Sequence, residues 1–343
     1  MKKVLHILTS NTYSGAENVI ISIINGLNDK FRFAYSSGYG DIRHVLEKNA
    51  IIYLPQNSMS VKEVRRIIKE YSPDIIHAHD FRASVICAMS ESKIPIISHL
   101  HNNSPWLKEY GLYSWIYLLS AVKFKKILLV SDSVINEYVF GRFIKGKSTI
   151  IGNPICTGSI LERSKETSEY RFDVAFVGRL AAPKNPFRFI DIIKRLTVEK
   201  PDISAGMIGD GELMEECLVK VIDLSLEKNI TLTGFLDNPY SVMAKSKILC
   251  MTSEWEGFGL VAVEALALGL PVVATPVGGL PGIVNESCGK LCYNNEEFSD
   301  TICELLTDSS VYNAKSQGAI LRAQELDNYE DYLQIIKMLY DKL

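Results

Sequence analysis

The 343-residue sequence lacks several motifs that identify common enzyme classes. It contains no Asp-x-Asp pair, no HExxH and no GxSxG, and no GxGxxG follows its first strand-like run. A metal chelated by a carboxylate pair of that spacing and the usual dinucleotide oxidoreductase are therefore disfavoured. One phosphate-loop match, GRFIKGKS at 141–148, follows a helix-like segment and precedes a strand-like one. A nucleotide-binding loop requires the reverse order, so we reject an NTPase.

Cysteine spacing and apolar runs also point away from several classes. The seven cysteines form no CxxC pair and no zinc-like cluster, and lie at positions 87, 156, 217, 250, 288, 292 and 303. Scattered among apolar neighbours, they are typical of reduced cytosolic thiols. The early apolar run, Val4–Leu8, is too short for a signal peptide, and no window of about 18 apolar residues is present. The sequence predicts a soluble cytoplasmic protein, with peripheral membrane contact left open.

Charge is distributed unevenly along the chain. Residues 1–155 hold 19 Lys/Arg and 12 Asp/Glu, a balance of +7, while residues 156–343 hold the other 18 and 28, a balance of −10. This asymmetry indicates that the first half meets something anionic, although uneven sampling of solvated surface explains it equally well. The basic residues form no dense stripe, so the sequence disfavours nucleic acid as a partner.

Strand-like runs alternate with segments of helical period in two successive rounds. The first round contains VLHIL, RFAYSS, IIYLP, DIIHAH, PIISHLH and KILLVS, and the second contains DVAFVG, SAGMIG, TLTGF, ILCMTS and PVVAT. This alternation predicts two doubly wound α/β domains with parallel sheets. The polar segment 153–171 marks the boundary. We assign residues 1–155, with a C-terminal helix at 326–343, to the first domain and residues 156–325 to the second.

A single carboxylate interrupts a long apolar segment of the second domain. From Phe258 to Ala274 every residue is apolar or glycine except Glu264, and Glu256 lies eight positions earlier. A buried carboxylate is costly unless it is bonded or faces a ligand, so Glu264 is either a structural acid or part of a site. The glycines at 257 and 259 allow close backbone approach near a helix N-terminus. Together these features favour a large anionic ligand rich in hydroxyls, such as a nucleotide sugar.

The stretch SEWEGFGLVAVEALALGLPVVATPVGG resembles the Glu-x7-Glu signature of retaining glycosyltransferases of the group 1/family 4 class. VGRLAAPKN, residues 177–185, resembles that family's Arg/Lys element, and IGDGEL and TLTGFLDN resemble its second and third donor-domain strands. YSGAEN resembles the family's glycine loop, with Ser14 in place of its first glycine, and SHLHNN resembles the segment with the active-site histidine. The resemblance implies a GT-B fold, in which two Rossmann-like domains face each other across a cleft.

The resemblance also implies roles for individual residues. Arg179 and Lys184 would stabilise the departing diphosphate, Glu256 would accept hydrogen bonds from the sugar, and His101 would orient sugar and acceptor. The positions that would bind substrate are Gly15, Glu17, Asn185, Gly257, Phe258, Gly259, Leu260 and Glu264. No metal or other cofactor is expected. The alternatives are solvated surface charge for Arg179 and Lys184, and a satisfied strand-end histidine for His101.

The implied activity is transfer of a hexosyl or N-acetylhexosaminyl group, with retention, from a nucleotide-diphosphate sugar such as a UDP-sugar. The acceptor would be a saccharide or a lipid-linked molecule in bacterial surface polysaccharide biosynthesis. Residues 106–126 mix aromatic residues with lysines, so they either contact a membrane surface or pack inward. Two other functions stay open: a GT-B epimerase or phosphorylase, and a non-catalytic nucleotide-sugar-binding partner subunit.

Overall fold

The computed structural model describes residues 1–11, 15–40, 42–90, 93–102 and 104–343. The chain divides into two compact units. Unit 1 comprises Met1–Pro154 and Asn328–Leu343, and unit 2 comprises Ile155–Asp327. The first sequence-based boundary lies one residue from the observed one, and the second lies two residues away.

Unit 1 is built on a seven-stranded sheet in which every pair of neighbouring strands is parallel. The strands are β1 Lys3–Leu8, β2 Arg32–Ser36, β3 Ile52–Tyr53, β4 Ile75–His79, β5 Ile96–Leu100, β6 Phe124–Leu129 and β7 Ser148–Ile150. Their spatial order is β3-β2-β1-β4-β5-β6-β7, so the winding direction reverses between β1 and β4. Ligands of such folds bind at the carboxyl ends of the strands near this reversal.

Helices connect the strands of unit 1 at each of the six crossovers. They are α1 Gly15–Leu27, α2 Ile42–Lys48, α3 Val61–Tyr71, α4 Phe81–Ser90, α5 Leu112–Ala121, α6 Asp132–Glu137 and α7 Gly141–Ile144. The phosphate-loop match runs from α7 through a 3₁₀ turn into β7, so the predicted reversed order is confirmed.

Unit 2 is built on a six-stranded parallel sheet. Its strands are β8 Val174–Val177, β9 Ala205–Ile208, β10 Ile230–Gly234, β11 Ile248–Met251, β12 Val272–Ala274 and β13 Gly289–Leu291, in the order β10-β9-β8-β11-β12-β13. Its helices are α8 Thr157–Ser164, α9 Pro186–Leu196, α10 Met214–Asp223, α11 Tyr240–Met243, α12 Leu260–Ala267, α13 Asn295–Thr307 and α14 Ser309–Leu326. The prediction of two doubly wound α/β domains is confirmed. The short strand β13 has no apolar run, and the sequence did not predict it.

The last helix, α15 Tyr329–Lys342, belongs to unit 1. Its residues Tyr332, Ile336 and Tyr340 are buried in the same core as α1 and β2. Lys2 Nζ donates to the Tyr340 carbonyl at 3.0 Å, which ties this helix to the start of the chain. All seven cysteines are free thiols. Among the residues that the structure describes, none of the helices combines the length and apolarity needed to cross a lipid bilayer.

Candidate functional site

The carboxyl edge of the unit 2 sheet brings two of the predicted site residues together. Lys184 lies in the loop after β8, and Glu256 lies in the loop after β11, 72 positions further along the chain. Lys184 Nζ and Glu256 Oε2 form an ion pair at 2.5 Å, with side chains 24% and 13% exposed. A partly buried ion pair at the open edge of a doubly wound sheet is typical of a polar ligand site.

Hydrogen bonds to the backbone hold these two loops against each other. Glu254 N donates to the Pro183 carbonyl at 2.9 Å, and Thr252 Oγ1 donates to the carbonyls of Lys184 and Asn185 at 3.1 and 2.9 Å. Thr275 Oγ1, at the end of β12, donates to the Ser253 carbonyl at 2.7 Å. The sequence reasoning missed both threonines. The available signal was a polar residue directly after a buried strand.

Asn185 has a structural role at the start of α9. Its backbone is left-handed, with φ 47°, and its side-chain oxygen accepts from Arg188 N at 3.2 Å as the helix cap. Its Nδ2 donates to Glu254 Oε1 at 3.2 Å. Asparagine tolerates this backbone region and caps helices well. Its contact with a ligand therefore stays a prediction beside this observed function.

Arg179 differs from Lys184 in having no side-chain partner among the residues that the structure describes. Its side chain is exposed after Gly178, and within the described ranges of the chain it forms neither a hydrogen bond nor an ion pair. The structure therefore does not join it to the Lys184–Glu256 pair. Its guanidinium is accessible to an anion at the same sheet edge, where the loop after β8 begins.

The segment Gly257–Leu260 leads into α12 through a tight turn. Gly259 has φ 105°, and no side chain of the described residues caps the helix, so N–H groups of its first turn are left for an anion. A Cβ on Gly278 would lie 1.5 Å from the Glu256 carbonyl oxygen, and one on Gly279 would lie 2.3 Å from that of Phe258. Only glycines allow this approach. The pair supports the Glu256 loop, and the sequence reasoning did not identify it.

Glu264 lies in the second turn of α12, and its observed partner is a tyrosine of unit 2. The Tyr240 hydroxyl donates to its Oε1 at 2.9 Å, and Arg163 lies over the Tyr240 ring, 4.6 Å from its centroid. Burial raises the pKa of the Glu264 carboxyl, against the Tyr240 hydrogen bond and the Arg163 charge. In the described part of the chain, no hydrogen bond or ion pair joins Glu264 to Arg179 or Lys184. Tyr240 and Arg163 were missed by the sequence reasoning.

The predicted residues of unit 1 lie near the reversal of the sheet. Gly15 is the exposed first residue of α1, and Glu17 is buried in the first turn of that helix. Tyr13 and Ser14, the first two residues of the predicted glycine loop, lie outside the described residues. Burial and the nearby Glu17 charge raise the pKa of the Tyr35 hydroxyl.

His101 follows β5 and is half-buried. Its Nε2 lies 2.9 Å from Nδ1 of His79. Burial lowers the pKa of His101 to about 3, so the ring is neutral at physiological pH. A base with so low a pKa is weak near pH 7, whereas a neutral imidazole orients a ligand through one N–H and one lone pair. The low pKa of His101 therefore favours the orienting role over that of a base.

Two family models match successive parts of the chain. The model of group 1 glycosyl transferases matches residues 160–322, and that of Glycosyltransferase Family 4 matches residues 13–158. The chain is 28% identical to an uncharacterized glycosyltransferase, MJ1059, of Methanocaldococcus jannaschii, over 66% of this chain and 62% of the relative. It is 31% identical to the N-acetylgalactosamine-N,N'-diacetylbacillosaminyl-diphospho-undecaprenol 4-alpha-N-acetylgalactosaminyltransferase of Campylobacter jejuni, over 67% of this chain and 58% of the relative. The matches thus span less than two thirds of these relatives.

Among solved structures, HepE of Anabaena in complex with UDP and glucose matches the whole chain. The TM-score is 0.86 at 22% identity, and the match covers 100% of both chains. At this identity the likeness shows a shared fold, which agrees with the two doubly wound units described above.

Proposed function

We propose that the chain is a glycosyltransferase that transfers a hexosyl or N-acetylhexosaminyl group, with retention, because the Family 4 and group 1 models match residues 13–158 and 160–322 in succession and the fold is GT-B. The proposed donor is a nucleoside diphosphate sugar, and the proposed acceptor is a saccharide or a lipid-linked saccharide of a bacterial surface polysaccharide. The observation that carries this proposal is the Lys184–Glu256 ion pair beside the uncapped start of α12. The complex of HepE with UDP and glucose supports UDP as the nucleotide.

The spacing along α12 fits such a donor. Glu264 is five residues beyond Gly259, which is about 7.5 Å along a helix that rises about 1.5 Å per residue. The diphosphate would lie against Lys184, Arg179 and the first-turn N–H groups, while Glu264 would bind the ribose diol. Oε1 of Glu264 accepts from Tyr240, and its Oε2 forms no hydrogen bond with the described residues. A desolvated carboxyl with one unused oxygen suits a pair of hydroxyl donors.

The proposed reaction breaks the bond between the anomeric carbon and the diphosphate oxygen and forms one to the acceptor oxygen on the same face. Negative charge develops on the departing diphosphate, which takes the acceptor proton. Fixed cations stabilise that charge, so Lys184 and Arg179 would serve in place of a metal. Glu256 would hold hydroxyls of the sugar. In unit 1, the neutral ring of His101 would orient a hydroxyl of its own ligand.

A donor panel tests this proposal. We expect one of the UDP-, GDP- and ADP-sugars to raise the melting temperature by about 5–10 °C at a concentration near 100 Kd, since such binding adds about 2.7 kcal/mol. Turnover with that donor should then give a product whose anomeric configuration, read by NMR, matches the donor. No stabilisation by any donor would refute the site, and an inverted product would refute retention.

A lipid-linked acceptor would require unit 1 to reach a membrane surface, and α5 exposes a suitable face. Leu112, Trp115, Leu119 and Val122, here called the α5 stripe, are 72%, 48%, 69% and 77% exposed. Their spacing of three, four and three residues places them on one side of the helix. An exposed apolar stripe of this kind marks an interaction surface.

Basic groups lie next to the α5 stripe. Lys147 Nζ donates to the carbonyls of Ala121 and Val122 at 2.9 and 2.8 Å, at the end of the helix. Phe140 packs against Trp115 with ring centroids 4.3 Å apart, and beside it the Arg142 guanidinium lies over the exposed Phe143 ring. Apolar and aromatic residues rimmed by cations match an anionic bilayer. We therefore propose peripheral contact with the inner face of the cell membrane.

Vesicle flotation tests the membrane surface. The protein should float with vesicles containing phosphatidylglycerol and much less with pure phosphatidylcholine. Leu119→Glu should lower partitioning at least about tenfold, because burying a leucine contributes about 1.5–3 kcal/mol and the new charge repels the lipid. Val198→Glu, at an 82% exposed position in unit 2, is the control. Equal partitioning of Leu119→Glu and the unaltered protein would exclude this surface.

A further inference from the structure

Five of the six histidines lie together on one face of the unit 1 sheet. In the strand register His6 is opposite His77, and His79 is opposite His99. Side chains two residues apart share a face of a strand, so His77 and His79 lie on the same face, as do His99 and His101. Four of the five are fully buried, and His101 at the strand end is half-buried. So many buried imidazoles in contact require a physical explanation.

Two hydrogen bonds link three of these rings in series. His6 Nδ1 lies 2.8 Å from His79 Nε2, and His79 Nδ1 lies 2.9 Å from His101 Nε2. His79 therefore uses both of its ring nitrogens. His77 stands apart from this series, because its Nδ1 bonds to the Tyr340 hydroxyl of α15 at 2.7 Å.

From this geometry we infer that His79 and His6 are positioning residues whose hydrogen bonds fix the ring nitrogen at which His101 carries its proton. A neutral imidazole has one N–H and one lone pair, so His79 must donate from one nitrogen and accept at the other. The chain His6–His79–His101 then has only two consistent directions. Each direction determines whether His101 Nδ1 is a donor or an acceptor.

The burial of the two chain ends selects one direction. His6 Nε2 and His101 Nδ1 are both buried without a partner among the described residues. If the chain ran from His101 towards His6, an N–H would be stranded at His6, which has no exposed surface. In the opposite direction the unpaired N–H is Nδ1–H of His101, an atom that is also buried but belongs to a side chain partly exposed at the carboxyl end of β5. An N–H stranded at the fully buried His6 is the costlier case, so all three rings should carry the proton on Nδ1.

A metal ion explains the cluster less well. Two histidine triads that share His79 have ring nitrogens within 4.8 Å of one another. However, nitrogens bound to one tetrahedral zinc at about 2.0–2.1 Å lie about 3.3 Å apart, longer than both observed contacts. Metal-bound histidines also usually donate to a carboxylate or carbonyl, and no carboxylate in the described part of the chain bonds to these rings.

This inference rests on the proposed function, in which the neutral ring of His101 orients a ligand hydroxyl. NMR of the full-length protein labelled with ¹⁵N-histidine reads the protonated nitrogen of each ring without any substrate. We expect His101 in the Nδ1–H form in the unaltered protein and in His79→Asn, whose side-chain amide can still donate to Nε2. His79→Phe should release His101 to a different or mixed tautomer and lower kcat about tenfold. His79→Asn should recover most of that loss.

His99→Phe is the matched control, since His99 belongs to the same cluster but both of its ring nitrogens lack partners in the described chain. It should leave the His101 tautomer unchanged. If His79→Phe does not fold, His6→Phe interrupts the same chain from its other end. A proton on His101 Nε2 in the unaltered protein, no tautomer change in His79→Phe, or one zinc per purified chain that His79→Phe abolishes would each overturn the inference. The tautomer assay is independent of turnover, so full activity in His101→Ala would instead refute the proposed function.

Discussion

Replacing Lys184 with alanine is expected to lower transferase turnover by about 10²–10³-fold, the usual cost of removing one group that stabilises transition-state charge. The Lys184 ammonium lies at the carboxyl edge of the sheet, held 2.5 Å from Glu256. In the proposed reaction it faces the diphosphate as charge develops there. Truncation removes that cation and also leaves Glu256 without its partner. Steady-state kinetics with the donor selected by the panel, and thermal melting for the fold, measure the effect.

The matched control is Lys247→Ala. Lys247 forms a similar ion pair, 2.8 Å from Asp173, but directly precedes β11 at the opposite edge of the same sheet. It should retain nearly full activity.

Glu264→Gln tests the other end of the donor site, where the amide oxygen can still accept from Tyr240, so the fold should persist. Because the ribose diol would lose a charged acceptor, donor KM should rise about 10- to 100-fold. Unchanged kinetics in both Lys184→Ala and Glu264→Gln would refute the assigned site.

Acidification from pH 7.5 to pH 5 is expected to destabilise unit 1 by several kcal/mol. Burial lowers the pKa of His6 and of His101 to about 3, whereas an unfolded histidine has a pKa near 6.5. Between about pH 3 and 6.5 the unfolded chain therefore binds more protons, so the free energy of unfolding falls as the pH falls. At pH 5 the loss is about 2 kcal/mol for each of these two histidines.

Other groups at the same place modify this loss. Burial also lowers the pKa of His77, His79 and His99, which act in the same direction. Asp80 acts in the opposite direction: burial raises its pKa to about 6, so protonation stabilises the folded state as the pH falls below 6. At pH 5 this protonation raises the free energy of unfolding by about 1 kcal/mol. The net effect still favours unfolding, because five histidines oppose one carboxyl.

Tryptophan fluorescence can follow each unit separately during urea unfolding. Trp106 and Trp115 report on unit 1 and Trp255 on unit 2. In Trp255→Phe the urea midpoint should fall between pH 7.5 and pH 5. Unit 2 contains no histidine. Its urea midpoint, followed in a variant that keeps only Trp255, should therefore lack this loss of stability on acidification. His44→Asn, at an exposed position, should not alter the pH dependence. A unit 1 midpoint that stayed constant over this range would contradict the protonation states assigned to the cluster.

The alternation of strands and helices, and with it the α/β class of both units, could be predicted from the sequence because it depends on local patterns. Buried parallel strands appear as short apolar runs, and the helices between them show a period near 3.6. The phosphate-loop match could be rejected on the same grounds, since its flanking segments are in the wrong order. Strand β13 has only three residues, Gly289–Leu291, and pairs with β12 alone, so no local pattern identified it.

The candidate site likewise contains residues that the sequence could identify and residues that it could not. The resemblance selected Lys184 and Glu256, and the structure brings them together through backbone contacts between two loops. The resemblance did not select Tyr240 or Arg163, which lie 24 and 101 positions before Glu264. The partner of a single acid in an apolar helix depends on which other elements pack against that helix. The periodicity of the sequence does not contain this information.

The sequence by itself determined two parallel α/β units and the residue types at the ends of their strands. Only the tertiary structure decided that five histidines share one face, because this depends on β1 lying beside β4 and β4 beside β5. Strand order is a non-local property, set by how helices of both faces cover the sheet. The hydrogen-bonded chain that reaches His101 therefore exists only in the folded protein.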